Sequence, residues 1–282
     1  MRRDPSFERQ AAGILCLLAA VLVADRVSAQ DEPSEQPRDP RWQEIYKSEA
    51  SGYRFETAGP QPEKLAMQPQ PLMQWVSLND YNGDVFVWTL NGHPELVGTI
   101  FSRPVGNGGQ RNMMHEFHSL SAQPIKGTNF QEKAFSFAER TQLKTIRDAP
   151  LPADSPARRQ LQARALAKQF SAHMDRQGER WELRLLNQPL YRYEQSSDTV
   201  LGGAIFAFVG YVTDPEILIL IEARRTERGP VWSYAAARFS DKSLWLSHKG
   251  TEVWKFLRDV PGTDGRYYFS SAKTVGLTSE EP

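Results

Sequence analysis

The stretch GDVFVWTLNGHPELVGTIF, residues 83–101, decides how this chain folds. Valine, isoleucine, threonine and aromatic residues, which favour β-strands, dominate it on both sides of Asn91-Gly92. Asparagine followed by glycine is preferred in two-residue hairpin turns, because both positions need a positive φ. The stretch therefore predicts two antiparallel strands joined at residues 91 and 92.

Similar phrases recur further along the chain. QPLMQW at residues 70–75 is matched by QPLYRY at residues 188–193, and GDVFVW at residues 83–88 by GAIFAF at residues 203–208. The offset grows from 118 to 120 residues, as small insertions in turns would make it. The pattern predicts a tandem duplication of a unit made of one helix and an antiparallel sheet.

Two segments have the apolar spacing of helices. Residues 41–50 place apolar side chains three and four positions apart, and Gly52 follows as a stop. A second helix is predicted over residues 156–177, after Ser155 as N-cap, with an apolar stripe that ends at Met174. The segments between and after these helices have mostly the pattern of strands.

The run EILILIEARR, residues 216–225, is typical of a central strand covered on both faces, and the helices are the expected cover. The predicted fold class is therefore α+β, with two units that share a sheet or meet at a pseudo-twofold interface. The predicted organisation is a signal peptide (1–29), a polar linker (30–41), a first unit (42–147), a linker (148–155), a second unit (156–270) and a C-terminal tail (271–282).

The N-terminus has the order of a secretory signal peptide. Basic residues precede an apolar run over residues 11–24, and Val27-Ser28-Ala29 gives the small-residue pattern of a cleavage site. The run is shorter than the roughly 20 residues that a membrane-spanning helix needs. We expect a secreted or periplasmic protein without a stable membrane span after processing, and the alternative is an uncleaved anchor.

The processed chain would contain no cysteine, because Cys16 lies within the signal. Thiol nucleophiles, cysteine–zinc sites and iron–sulfur clusters are thereby excluded. Removal of residues 1–29 takes away four Arg and three Asp or Glu, so the formal net charge moves from 0 to −1. Without a basic excess, nucleic acid is not an expected partner. We expect no cofactor, and the partner classes left open are cell-envelope components and saccharides.

The stretch MMHEFHSL, residues 113–120, holds two histidines and a glutamate. Its spacing departs by one residue from the His-Glu-x-x-His zinc motif, and its place in the repeat predicts a strand. On a strand, Glu116 and His118 share one face and the other histidine lies opposite, so no metal site is expected. The second copy has Ala235 and Ala237 at these positions. The polar residues are therefore interpreted as a structural pair, as the lining of a ligand pocket, or as a catalytic pair.

Two weaker candidates lie in the second half of the chain. Tyr191 and Tyr193 alternate with Arg192 on a predicted strand, which suits either an aromatic platform for a ligand such as a sugar or a pair packed in the core. Glu222 and Arg224, two residues apart, share a face of the apolar strand. We predict that they form an ion pair at its rim.

The chain resembles a family of secreted proteins of planctomycete bacteria in five phrases: FVWTLNGHPE, HEFHSLS, DAPLPADSPARRQLQARALAKQF, LRLLNQPLYRY and TDPEILILIEAR. The resemblance covers most of the processed chain. It implies export and a shared fold. It implies no activity and no site residues, because no activity is established for that family.

We expect an exported, non-enzymatic binding or structural protein of unknown ligand. One alternative is a hydrolase in which Glu116 and His118 act as an acid–base pair on one substrate. A second alternative is a carbohydrate-binding module with Tyr191 and Tyr193 at its surface. A concave pocket beside Glu116 with a third polar group would favour the hydrolase.

We predict that the mature protein begins at Gln30, because the cleavage pattern ends at Ala29. N-terminal sequencing of the exported protein checks this position. A protein that still begins at Met1 would contradict it.

Overall fold

Strands make up most of the described chain. The computed structural model describes residues 39–106, 109–129, 131–258 and 265–277, of which 53% lie in strands and 11% in helices. The helices are α1 (Arg41–Ser51), α2 (Pro156–Ala167) and a short 3-10 helix (Leu78–Asp80). None of these is both long and apolar enough to cross a membrane. The predicted signal peptide, residues 1–29, lies outside the described residues.

Eighteen strands are present in the described residues. Nine precede α2: β1 (Arg54–Thr57), β2 (Ala66–Met67), β3 (Met73–Val76), β4 (Asn82–Leu90), β5 (His93–Val105), β6 (Gln110–Ser119), β7 (Ile125–Thr128), β8 (Ala134–Phe137) and β9 (Lys144–Thr145). Nine follow it: β10 (Phe170–Arg176), β11 (Glu179–Leu185), β12 (Tyr191–Tyr193), β13 (Val200–Val209), β14 (Pro215–Thr226), β15 (Gly229–Arg238), β16 (Leu244–His248), β17 (Thr251–Phe256) and β18 (Tyr267–Gly276).

The strands form two large sheets and a small one, all antiparallel. The first large sheet runs β18-β6-β5-β4-β2, with β3 also paired to β4. The second runs β17-β16-β10-β11-β13-β14-β15-β9, with β12 also paired to β13, and the small sheet is β1-β7-β8. Each large sheet thus takes an edge strand from the other half of the chain, β18 in the first and β9 in the second. The division into two units at residues 148–155 stays a prediction.

The central core lies between the two large sheets. Alternate side chains of β4 and β5 pack in one cluster with those of β13, β14 and β15. Its members include Val85, Val87, Val97, Ile205, Ala207, Leu218, Leu220, Ala235 and Ala237. All of these side chains are at most 4% exposed, so one face of each sheet is removed from water by the other sheet.

The outer faces of the two sheets have separate covers. On the first sheet, α1 and the small sheet pack over the outward side chains of β4, β5 and β6, in a cluster that includes Tyr46, Phe55, Phe86, Trp88, Ile100, Phe117 and Phe137. On the second sheet, α2, β10 and β16 cover outward side chains of β13, β14 and β15, such as Phe206 and Ile219. The covering side chains include Leu166, Met174 and Leu246. Both faces of the central strands of each sheet are therefore buried over most of their length.

The predicted α+β class is wrong, and so is the helix-plus-sheet unit on which it rested. The molecule is β-rich, with large curled antiparallel sheets and two α-helices in the described residues. The apolar run of β14 is buried on both faces, but a second sheet covers one face and the helix covers only part of the other. An apolar strand face needs an apolar cover, and the sequence pattern does not specify which kind.

The second helix is shorter than predicted. Ser155 caps it as expected, since its side chain accepts a hydrogen bond from the backbone N–H of Arg158, but the helix ends at Ala167. Residues 170–176 form β10, in which Phe170, Ala172 and Met174 are buried alternately. Those apolar residues fit a period of two as well as a helical stripe, and pairing with β11 and β16 selects the strand.

Two local predictions are confirmed. Leu90 lies opposite His93, and the turn residues Asn91 and Gly92 both have positive φ, 52° and 82°, as a tight hairpin turn requires. The stretch at residues 113–120 is a strand over most of its length. Its side chains alternate between the outer cluster of the first sheet and the inner face.

Replacement of Gly98 by Ala tests the packing of the outer cluster. An added Cβ would lie 2.7 Å from Cε1 of Phe117 and 3.1 Å from Cζ3 of Trp88, in a tightly packed region. We expect Gly98→Ala to lower the free energy of unfolding by about 1 to 3 kcal/mol, measured by urea denaturation.

Gly59→Ala is the matched control, because its Cβ would lie no closer than 3.7 Å to a neighbour. It should change stability by less than about 0.5 kcal/mol. Equal effects of the two substitutions would contradict the described packing.

Candidate functional site

A cleft of about 640 Å³ lies between the two large sheets. Residues of β5, β6 and β18 line it on one side, and residues at the start of β14 and just after β15 line it on the other. Seven of its 18 lining residues are aromatic: Trp75, Tyr81, Phe101, Phe239, Phe256, Tyr267 and Phe269. Its volume and apolar walls are typical of sites for small organic molecules.

Glu116 is the most informative polar residue of the cleft. It lies on the inner face of β6, opposite Thr99 of β5 and Phe269 of β18, and it is 6% exposed. The hydroxyl of Tyr267 donates a hydrogen bond to its Oε1. Within the described residues Oε2 accepts no hydrogen bond, and the side chain lines the cleft. One oxygen of a nearly buried carboxyl group is therefore open to a ligand.

Burial raises the pKa of Glu116 to about 7, because the charged form loses its hydration. The hydrogen bond from Tyr267 and the nearby guanidinium of Arg238 oppose this increase. Charges on Glu216 and Asp241 reinforce it. Near neutral pH, Glu116 can therefore exist with or without its proton.

Three more acidic residues line the same cleft: Asp214, Glu216 and Asp241. The ammonium group of Lys242 lies 2.8 Å from Oε1 of Glu216 and balances its charge. Burial raises the pKa of Asp214 well above its usual range, the charge of Glu216 raises it further, and a hydrogen bond from Ser77 opposes the rise. The described residues contain no group of three or more His, Cys, Asp or Glu that could hold a metal ion.

Arg238 forms part of the wall. Its guanidinium carbon lies 3.9 Å from the ring centroid of Phe256 and 3.3 Å from that of Tyr267. Its Nη1 donates a hydrogen bond of 2.8 Å to the carbonyl of Ser240. The cation is thus held against two aromatic rings, which partly offset the loss of its hydration.

His118 is not at the cleft surface. It shares the inner face of β6 with Glu116, as predicted, but it is fully buried, and the backbone N–H of Arg238 donates to its Nδ1 at 3.3 Å. His115 lies on the opposite face, where Nδ1 is 2.6 Å from the hydroxyl of Tyr53. Burial lowers the pKa of His115 to about 4, so it is neutral. The structure brings Glu116 together with Tyr267 and Arg238 rather than with a histidine in the cleft.

The predicted residues of β12 lie elsewhere. Tyr193 is 5% exposed, and its hydroxyl donates a 2.6 Å hydrogen bond to Oε2 of Glu222. Tyr191 is half-buried, and its hydroxyl donates to the carbonyl of Gly92 in the hairpin turn. Arg192 is exposed. Tyr191 therefore bonds the β4–β5 hairpin to the second sheet, and the ring of Tyr193 packs edge-on against His93 of that hairpin. Ligand binding by the three residues stays a prediction.

His93 is the centre of that junction. Nδ1 lies 2.7 Å from Oε1 of Glu95, and Nε2 lies 2.7 Å from Oε2 of Glu222. Arg224 donates to the other oxygen of Glu222 at 2.8 Å, which confirms the predicted ion pair. Burial lowers the pKa of His93, but its hydrogen bonds to the two carboxylates raise it more, to about 9. The protonated ring is therefore expected to donate from both nitrogens.

Stability should depend on the protonation of His93. Its pKa of about 9 in the folded protein exceeds the value of 6.5 expected when unfolded, so its contribution is complete below pH 6.5 and is lost as the pH rises through 9. We expect the free energy of unfolding to fall by on the order of 2 to 3 kcal/mol across this window. His93→Gln should remove this component of the pH dependence, measured by denaturant unfolding at several pH values.

His173→Gln is the control, because His173 stacks on Trp245 in another part of the second sheet. This variant should keep the wild-type pH dependence between pH 6.5 and 9, because burial lowers the pKa of His173 and places its own effect below this window. If the free energy of unfolding of His93→Gln fell with pH as steeply as that of the wild type, the role given to His93 would be contradicted.

The chain matches no protein-family model, no curated protein and no solved structure. The candidate site is defined by the geometry of its own residues. Its components are the aromatic cleft, the open oxygen of Glu116 and the neighbouring carboxyl group of Asp214.

Proposed function

We propose that this protein is an exported binding protein that holds a small organic ligand in the cleft between its two large sheets. The observation that carries the proposal is the open carboxylate oxygen of Glu116 in an aromatic cleft of about 640 Å³. Small-molecule sites combine apolar walls with a few polar groups that fix orientation. Export rests on the signal pattern of residues 1–29.

The hydrolase is the second candidate, and the pKa of Glu116 favours it. A carboxyl group that titrates at about pH 7 can exchange a proton with a substrate under physiological conditions. The predicted partner His118 lies in the core, and Asp214 is another acidic group in the cleft. Binding is the better proposal, because it requires only the groups already assembled.

A saccharide-binding role has less support. Sugar platforms need exposed aromatic faces, whereas Tyr193 is buried against Glu222 and Tyr191 is partly buried. The cleft itself carries four phenylalanines in its wall: Phe101, Phe239, Phe256 and Phe269. Such rings provide apolar contact without a hydrogen-bonding group, which suits an apolar ligand.

The neutral fluorescent probe N-phenyl-1-naphthylamine tests the cleft as a binding site. We expect its fluorescence to rise on titration with the protein, because the aromatic walls exclude water. Phe269→Ala should weaken binding roughly fivefold, since the lost ring contact is worth about 1 kcal/mol. Phe269 is 49% exposed and lies on an edge strand, so its removal should not prevent folding.

Leu161→Ala provides the control, because Leu161 is an exposed apolar residue of α2 that does not line the cleft. It should leave probe affinity unchanged. Absence of binding to the wild-type protein, or equal loss in both variants, would overturn the proposal.

A further inference from the structure

Four carboxyl groups and three cationic side chains line the cleft, and one of the cations, Arg238, lies against the rings of Phe256 and Tyr267. Lys242 pairs with Glu216 at 2.8 Å, and Arg258 pairs with Asp241 at 3.5 Å. Within the described part of the chain, neither Glu116 nor Asp214 forms an ion pair. The cleft therefore has one more acidic than basic side chain, and two of its carboxyl groups are without a close ion pair among the described residues.

Glu116 also lacks hydrogen-bond donors. A carboxylate can accept about four hydrogen bonds, and Glu116 accepts one, from Tyr267. Its second oxygen lies at the cleft surface although the side chain is 6% exposed. A ligand that brings both a positive charge and N–H donors would satisfy this oxygen.

The walls of the cleft suit the same ligand. Phe101 and Phe269 place aromatic rings beside Glu116, and ring faces attract ammonium and guanidinium groups. Three cations of the cleft could attract an anion. Lys242 and Arg258 already pair with carboxylates, and Arg238 lies against two aromatic rings and donates to the carbonyl of Ser240. An anionic ligand would also meet the uncompensated carboxyl groups and would be disfavoured.

We propose that the ligand of the cleft is an organic cation, an amine or guanidine on an apolar body, whose charged end contacts Glu116 with Asp214 nearby. This inference rests on the proposed binding function and gives that function a substrate class. Glu116 fixes the charged end, and the phenylalanine walls hold the apolar body.

Binding of a cation should release a proton. Glu116 is protonated in part of the molecules at neutral pH, and a positive charge beside it lowers its pKa. The titratable and charged side chains that act on Glu116 are those of Tyr267, Arg238, Glu216, Asp241 and Asp214. At pH 7, calorimetry in buffers of different ionisation enthalpy should show release of about half a proton per bound cation.

Three probes share the same apolar framework and differ in the charge of the end group, so they separate the effect of charge on affinity from that of apolar contact. They are 4-phenylbutylamine, 4-phenylbutanol and 4-phenylbutanoate. Each is titrated against the protein at pH 7 in competition with N-phenyl-1-naphthylamine. We expect the amine to bind about tenfold or more tightly than the alcohol, since a charged hydrogen bond contributes about 1.5 to 3 kcal/mol. The butanoate should bind most weakly.

Glu116→Gln should reduce amine affinity to the level of the alcohol, leave alcohol affinity unchanged and remove proton release. Asp214→Asn, a second variant, should weaken the preference for the amine by a smaller factor. Glu182→Gln is the control, because Glu182 is exposed on β11 and pairs with Arg180 outside the cleft. This control should behave as the wild type.

Two results would overturn the proposal that the ligand is a cation. One is equal or tighter binding of the alcohol or the butanoate by the wild-type protein, and the other is a full amine preference in Glu116→Gln. In both cases the neutral probe still binds, so the proposed binding function would stand. Failure of all three compounds and of N-phenyl-1-naphthylamine would instead contradict the binding function itself.

Discussion

Burial of both faces of the central strands of two antiparallel sheets is the constraint on which the rest of this structure depends. The inner faces cover each other, so Val85 and Val97 of the first sheet share a core with Leu218 and Leu220 of the second. Each outer face then needs a cover of its own, which α1 and the small sheet supply on one side and α2 with β10 and β16 supply on the other. The helices therefore act as covers for the outer faces of the sheets, which gives a layered β architecture.

The cleft is a consequence of the same packing. Along β6 the inner face continues from Leu120 in the core to Met114 at the cleft, and Glu116 lies between these apolar positions. Small side chains face the same core from β15, at Ala235 and Ala237. A carboxyl group placed at this boundary loses most of its water but keeps one oxygen at the cleft surface, which explains both its raised pKa and its availability to a ligand.

Two buried polar networks in the molecule differ in how many of their polar atoms have hydrogen-bond partners. Around His93, both ring nitrogens and both oxygens of Glu222 have partners, and the network joins the β4–β5 hairpin to the second sheet. Around Glu116, the hydroxyl of Tyr267 satisfies one oxygen only. A fully satisfied network rigidifies a fold, whereas an open acceptor in a cleft is a group that can bind. This difference separates a structural site from a candidate functional one.

The sequence by itself determined features that depend on neighbours in the chain. These are the hairpin turn at residues 91 and 92, the capped start of α2, the alternation of residues 113–120 and the ion pair of Glu222 with Arg224. Only the tertiary structure decided the fold class, the end of α2 and the composition of the cleft. The hydroxyl group that donates a hydrogen bond to Glu116 belongs to Tyr267, 151 residues further along the chain, and no local sequence pattern connects the two residues. Periodicity shows that a face is apolar, but long-range packing selects its cover and leaves one carboxylate oxygen open.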